Sequence, residues 1–354
     1  MVHRLPVPGT PAQQRALRSA LLVPPAGRIL ITMTVDRREF LHSALAASAL
    51  GTQISRVVRL PVRPGHALKP ARLAVITDLH HGLAPDALER FRAFLGAART
   101  RRFDAMLQMG DFTYSDAGAA ECLALWRKVP GTRLSVLGNH DMDKCDKATA
   151  VRANGMAARY YAQDVGGYRF VVLDLNHFRK DGALIPYANG NYFTDNAVFN
   201  CADPEQLSWL RRELQRATRP VIIISHQPLG FAEPGQPLPP EQAEIFSVIN
   251  AAAAGNPRSP VAACLSGHLH VDRLEHVGDI PCVLINSASY FWSAGMYPYS
   301  RPLYAFLEFT ADGMLKIEGT AGEFVKPPPP GSAGVVGRSA IISNRNVRVA
   351  IHPA

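Results

Sequence analysis

Short, unbroken apolar runs recur along the middle of the chain, and each stops at a polar cluster. Leu73-Ala74-Val75-Ile76 gives way to Thr77-Asp78-Leu79-His80-His81-Gly82, and Ala105-Met106-Leu107-Gln108 to Gly110-Asp111-Phe112-Thr113-Tyr114. The run ending at Leu137 meets Gly138-Asn139-His140-Asp141. Val221 to Ile224 meets Ser225-His226-Gln227-Pro228, and Val261 to Leu265 meets Ser266-Gly267-His268-Leu269-His270. Apolar runs of this length, without alternation, fit strands covered on both faces. Between them the apolar period changes. Leu88, Phe91, Leu95 and Ala98 form a helical stripe, Glu121 to Lys128 and Pro240 to Ala254 read as helices, and Asp203-Pro204 caps a helix with Leu207, Leu210 and Leu214 inside.

The first three strands and their helices read β-α-β-α-β, which predicts parallel pairing and a crevice at the strands' carboxyl ends. Tyr160 to Val165 and Tyr168 to Leu175 flank Gly166-Gly167 as a hairpin. Strands at Leu274 to Val277, Pro281 to Asn286, Leu303 to Thr310 and Met314 to Gly319 are expected to complete a second sheet. The catalytic body is placed at residues 71–319. Beyond it a Pro/Gly-containing tail, 320–354, offers one edge-strand candidate at Ala340 to Ser343.

The 354 residues carry a net charge of +9, but its location matters more than its size. The basic excess lies in residues 1–70 and 320–354, and the body between them is close to neutral, at −2. A body so balanced has no charge-based reason to grip a phosphate backbone, so nucleic acid is not an expected partner. Residues 1–70 read as a leader and linker. Met33 opens a segment in which Arg37-Arg38, then Phe40-Leu41, precede a small-residue apolar stretch from His42 to Gly51. This resembles a twin-arginine export signal, with an apolar region too short to span a bilayer, so no transmembrane helix is expected. Its depth in the chain suggests Met33 as the true start, with cleavage after Ala46 to Ala49 or near Ala67. The reading places the protein in the periplasm or cell envelope, or in the cytoplasm if the arginine pair is coincidental. Cys122, Cys145, Cys201, Cys264 and Cys282 show no metal-site spacing, and Cys145 and Cys201 are left open as a pair for an oxidising compartment.

The polar clusters are where chemistry is concentrated. Asp78 and His80, Asp111, Asn139 with His140, His226, then His268 and His270 are oxygen and nitrogen donors at five strand ends. Singly, each has a plain structural explanation: a cap, a turn, a satisfied strand-end histidine. The Asp-x-His and His-x-His spacings put both side chains on one face of an extended segment, and their joint occurrence points to a shared cation site.

Asp78-x-His80, Gly110-Asp111, Gly138-Asn139-His140-Asp141, His226 after an apolar strand and Gly267-His268-x-His270 resemble the ordered motif set of the calcineurin-like metallophosphoesterases. The resemblance covers roughly residues 71–319. It implies a four-layer α/β/β/α sandwich of two mixed sheets flanked by helices. It also implies two divalent or mixed-valence transition-metal ions, drawn from Mn, Fe, Zn, Co or Ni. Asp78, His80, Asp111 and His270 would hold one; Asp111, Asn139, His226 and His268 would hold the other. The implied reaction is in-line attack by a metal-bridging hydroxide on a small phosphomonoester, phosphodiester or nucleotide. His140 would face the leaving group as proton donor, oriented by Asp141. Gly110-Asp111-x-x-Tyr114 also fits a purple acid phosphatase pattern, but those enzymes lack a histidine at the place of His80, so Tyr114 is read as a packing or pocket residue.

The rivals are a non-catalytic scaffold on the same fold and a nuclease. The first is disfavoured because every ligand position is filled, the second by the charge of the body. Asn189-Gly190-Asn191-Tyr192-Phe193 and Asn286 to Trp292 offer aromatics and amides either for an organic leaving group or for core and turns. The layout around Asp174, Gln206 to Leu210 and His226 is similar to ADP-ribose/CDP-alcohol diphosphatases and cyclic-nucleotide phosphodiesterases, which is an analogy of layout only. Oligomeric state is not legible.

Overall fold

The computed structural model describes residues 68–256, 261–293, 295–329 and 338–351. The leader with Arg37-Arg38 lies outside them. Among the described residues no helix is long and apolar enough to cross a membrane.

The first sheet is built on β1 (Ala71–Ile76), β2 (Ala105–Gln108) and β3 (Thr132–Ser135), paired in parallel as expected. On the other edge of β1 lie β14 (Ala305–Phe309), β15 (Met314–Gly319) and β16 (Arg345–Arg348), each antiparallel to its neighbour. The second sheet has the order β10 (Arg273–Val277), β11 (Ile280–Leu284), β9 (Val261–Ser266), β8 (Val221–Ile224), β5 (Tyr168–Val172), β4 (Tyr161–Val165). Its four inner strands, β11, β9, β8 and β5, are parallel, and hairpin strands form both edges.

Side-chain alternation along β1 fixes the layering. Leu73 and Val75 enter the core between the sheets, together with Leu134, Phe170, Ile222, Leu265 and Phe309. Ala74 and Ile76 face the opposite way, into a core roofed by α1 (Ala87–Arg99) and α2 (Ala120–Arg127) through Phe91, Phe94 and Trp126. Rings buried like these stabilise the fold by about 2 kcal/mol each. On the far side α4 (Pro204–Arg216) and α5 (Pro240–Gly255) present Leu210, Leu214, Ile245 and Phe246 to the second sheet. The layers therefore run α/β/β/α. α4 begins as its sequence dictates: the Asp203 carboxylate accepts the Gln206 backbone N–H at 3.0 Å and Pro204 occupies the first turn.

Two expectations need correction. The strands at 303–310 and 314–319 do not complete the second sheet; β14 pairs with β1, Ala71 opposite Phe309, and so extends the first. The edge strand forms at Arg345–Arg348 and not at 340–343, where Ile341 makes only an isolated bridge to Ala321 and Ile342 is buried. The segment beyond Gly319 thus contributes core side chains, Ile342, Val347 and Val349 among them.

Candidate metal centre

The exits of β1, β2 and β3 in one sheet and of β8 and β9 in the other converge on a single buried cage. Asp78, His80 and His270 bring one donor atom each within 4.8 Å of one another, and so do Asp111, His226 and His268. The groups are contiguous. The carboxylate of Asp111 lies 3.1 Å from His226 Nε2 and 3.8 Å from His80 Nε2, and Asp78 Oδ1 lies 3.1 Å from His270 Nε2 and 3.8 Å from His226 Nε2.

The i, i+2 pairs do not sit on extended backbone, contrary to expectation. β1 ends at Ile76 and β9 at Ser266, and the pairs lie in loops beyond them. Asp78 (φ 51°), His80 (φ 54°), Asp111 (φ 49°), His268 (φ 72°) and His270 (φ 53°) all adopt the left-handed conformation that L-residues seldom take. Each such residue costs on the order of 1–3 kcal/mol, and the surrounding bonds hold them there. His80 N–H donates to Asp111 O (2.8 Å) and Asp78 N–H to Gly110 O (3.0 Å). From the far side Ser287 Oγ donates to Asp78 O (2.9 Å) and Ser289 Oγ to Leu79 O (2.7 Å). The glycines are fixed by crowding. A Cβ on Gly138 would strike the Asp111 carboxylate and backbone, and one on Gly267 would stand 2.5 Å from Asp78 Oδ2.

Electrostatics sets the protonation of the donors. Burial opposes ionisation of Asp78, but the imidazoles of His226 and His270 hold its pKa down at about 2. Asp111 is held low in the same way, burial opposing and His226 then His140 lowering it. Burial pushes His80 down, and burial with the charge of His226 takes His268 down to about 4, so both present neutral rings. His226 Nδ1 donates to Met109 O at 2.9 Å; against burial, Asp111 and then Asp78 raise the ring's pKa to about 9, so Nε2 can serve as a ligand atom only when an arriving cation displaces its proton.

Two features fit a cation. Asn139 Oδ1 is buried with no hydrogen-bond partner, an orphan that burial makes expensive. His80 Nε2 and His270 Nε2 face each other at 2.9 Å, where two lone pairs need a proton or a cation between them. The donor set of carboxylate, amide oxygen and imidazole, without thiolate, suits transition metals of intermediate hardness.

His140 stands at this cage without belonging to either of the two groups above, although it lies within the same reach of His80 and Asp111. Asp141 was expected to orient it and does not. The Asp141 carboxylate accepts the backbone N–H groups of Phe112 (3.0 Å), Thr113 (2.9 Å) and Gly138 (2.8 Å), so it ties the loop after β2 to the loop after β3. The partner of His140 is Asp143, Oδ2 to Nδ1 at 2.8 Å, and the Tyr192 hydroxyl donates to the other oxygen of Asp143. Residues 140–142 form a 3₁₀ turn, in which side chains three apart eclipse, and this brings Asp143 over His140. Burial would lower the His140 pKa, but Asp111 and then Asp143 raise it to about 9. Sequence reasoning missed Asp143; the three-residue interval was the available signal.

The neighbouring residues sort as follows. Tyr114 packs its ring on Gly82 and beneath Lys144 (4.2 Å), consistent with a packing role. Tyr290 is buried, its ring 4.9 Å from that of His80 and 4.8 Å from that of His270. Asn176 donates to Leu137 O (2.8 Å) and accepts from Gln227, bridging the exits of β3 and β8. Cys145 and Cys201 are both free thiols.

The profile of the calcineurin-like phosphoesterase family matches residues 71–272. No curated protein matches the chain. Among solved structures the chain is similar to a dimetal phosphatase from Danio rerio, at 14% identity over 79% of this chain and 99% of that one, with a TM-score of 0.52. It is also similar to GAP50, the anchor in the inner membrane complex of Plasmodium, at 13% identity over 80% and 90%, with a TM-score of 0.49. At such identities structural likeness speaks to the fold alone. The family match spans the strands and loops that build the cage, and on that ground the chain belongs to the calcineurin-like phosphoesterases.

Proposed function

We propose that the chain hydrolyses small phosphate esters, whether monoesters, diesters or nucleotides, with two transition-metal ions. Asp78, His80, Asp111 and His270 would hold one ion, and Asp111, Asn139, His226 and His268 the other. The observation that carries this reading is the pair of donor groups in one cage, with the buried Asn139 Oδ1 left unpartnered. When bound, such ions supply Lewis acidity and an activated water.

The chain supplies the rest. Asp143 holds His140 by Nδ1 and leaves Nε2 to carry a proton to the departing alkoxide. Asp141 keeps the loops after β2 and β3 in register, so that Asp111 and Asn139 stay aimed at the same space. Tyr290 covers one flank of His80 and His270 and limits water there.

The test is metal-loaded protein against an aryl phosphate and its bis ester. Asp111→Ala and Asn139→Ala each lose hydrolysis; retained activity in either overturns the reading. Export through the Arg37-Arg38 signal is part of the proposal. A double Arg37→Lys, Arg38→Lys chain stays in the cytoplasm in fractionation, and unchanged export refutes the signal.

A further inference from the structure

The geometry points to Phe193 as a shelf for the leaving group, which selects phosphate esters whose departing alcohol carries a flat ring. This rests on the hydrolase reading and on the place of His140 in it.

The segment that carries Phe193 is docked on the His140 turn. Asn189 N–H donates to Cys145 O (2.9 Å) and Gly190 N–H to Met142 O (3.1 Å). Asn189 (φ 49°) and Gly190 (φ 68°) are both left-handed, and Phe193 N–H closes the turn on Gly190 O (3.2 Å). Beneath it Tyr192, Tyr187, Phe178, Met142 and Leu137 form a separate small core. The two aromatic neighbours then part company. Tyr192 is 9% exposed and bonded to Asp143, whereas Phe193 is 54% exposed. The Phe193 ring lies on Tyr192, centroids 4.4 Å apart, and stands 6.3 Å from the His140 ring.

A strained turn and a dedicated core thus hold an aromatic ring in water beside the residue that would protonate the leaving group. A departing oxygen at His140 has its first few substituent atoms within reach of that ring, and an offset or edge arrangement of two rings needs centroids about 4.5–7 Å apart. Of the lysines that follow His140, Lys144 pairs with Asp116 (3.0 Å) and Lys147 with Asp174 (2.7 Å), while Lys180 donates to Thr194 Oγ1 (2.6 Å), next in the chain to Phe193.

The experiment compares benzyl phosphate with cyclohexylmethyl phosphate, each also as its methyl diester, because the two alcohols differ in flatness far more than in acidity. Metal-loaded wild type, Phe193→Ala and Phe193→Leu are assayed, with metal content measured in each. Benzylphosphonate and cyclohexylmethylphosphonate serve as inhibitors. The expected result is a wild-type preference in kcat/KM for the benzyl ester, reduced about fivefold to tenfold in Phe193→Ala. Cyclohexylmethyl turnover falls by less, metal content stays unchanged, and inhibition by benzylphosphonate weakens more than that by cyclohexylmethylphosphonate. Turnover of both esters with a ratio that Phe193→Ala leaves unmoved overturns the shelf and spares the hydrolase. Absence of turnover of any ester overturns the hydrolase and the shelf with it.

Discussion

The carboxylate of Asp143 meets the imidazole of His140, Oδ2 to Nδ1 at 2.8 Å, while Asp141, two positions nearer, turns its back on that ring to bind three backbone N–H groups. The two acids should therefore fail differently. Asp143→Asn lowers turnover about tenfold to a hundredfold on esters of poorly acidic alcohols, less on nitrophenyl esters, with metal content intact. Tyr192→Phe gives a smaller loss of the same kind. Asp141→Ala lowers thermal stability and metal content together. A leaving-group series and metal analysis on the three variants separate the cases.

Gly267 is held against Asp78. A methyl there would stand 2.5 Å from Asp78 Oδ2 and also press on Thr77. Gly267→Ala is expected to destabilise by about 1–3 kcal/mol and to lower metal occupancy, because relief requires moving either the Asp78 carboxylate or the loop that bears His268 and His270. Denaturant unfolding with metal analysis checks both halves.

Acid should loosen the far side of the site through His177. Its ring lies 3.4 Å from Lys147 Nζ and 3.9 Å from the Asp203 carboxylate. Burial, then the Lys147 charge, holds its pKa at about 4 against an ordinary 6.5. Between those values the unfolded chain binds a proton that the folded chain refuses. This contribution is therefore whole above pH 6.5 and falls away towards pH 4, by about 3 kcal/mol across the window. Urea unfolding at pH 7 and pH 4.5 should show a smaller drop for His177→Gln than for the wild type.

Asp272, two residues beyond His270, receives both guanidinium nitrogens of Arg345 at 2.5 and 2.9 Å and the Ser343 hydroxyl at 2.5 Å. Asp272 is buried, so removing its partner leaves a charge in a poor place. Arg345→Met is expected to lower stability by about 2–3 kcal/mol, and Arg345→Met with Asp272→Asn to recover part of that loss. Thermal unfolding of the single and double variants measures the coupling.

The strand ends were legible because each apolar run stops where its donors begin, and parallel pairing followed from the helices between the runs. What eluded the sequence was partnership at a distance. Nothing local distinguishes a strand that joins β11 from one that joins β1, so Ala305–Phe309 was assigned to the wrong sheet. Likewise the i, i+2 spacing of Asp78 and His80 correctly named two donors and misread their backbone, because an extended chain and a left-handed loop can present the same residues. Asp143 was hidden by a turn type, since in a wider helical turn Asp143 would not lie directly over His140. Tyr192 was visible as an aromatic, but which member of Tyr192-Phe193 is buried depends on a docking that only the fold supplies.

The pairing of Ala71 with Phe309 also sets a timetable. On a growing chain every donor side chain has been made once His270 appears, yet β1, which aims Asp78 and His80, still lacks its antiparallel neighbour. The Ser287 and Ser289 hydroxyls that brace Asp78 O and Leu79 O are also still to come, whereas the bonds of Asp78 to Gly110 and of His80 to Asp111 can already form. The bracing of the cage is therefore completed by residues that lie beyond its last donor in the chain.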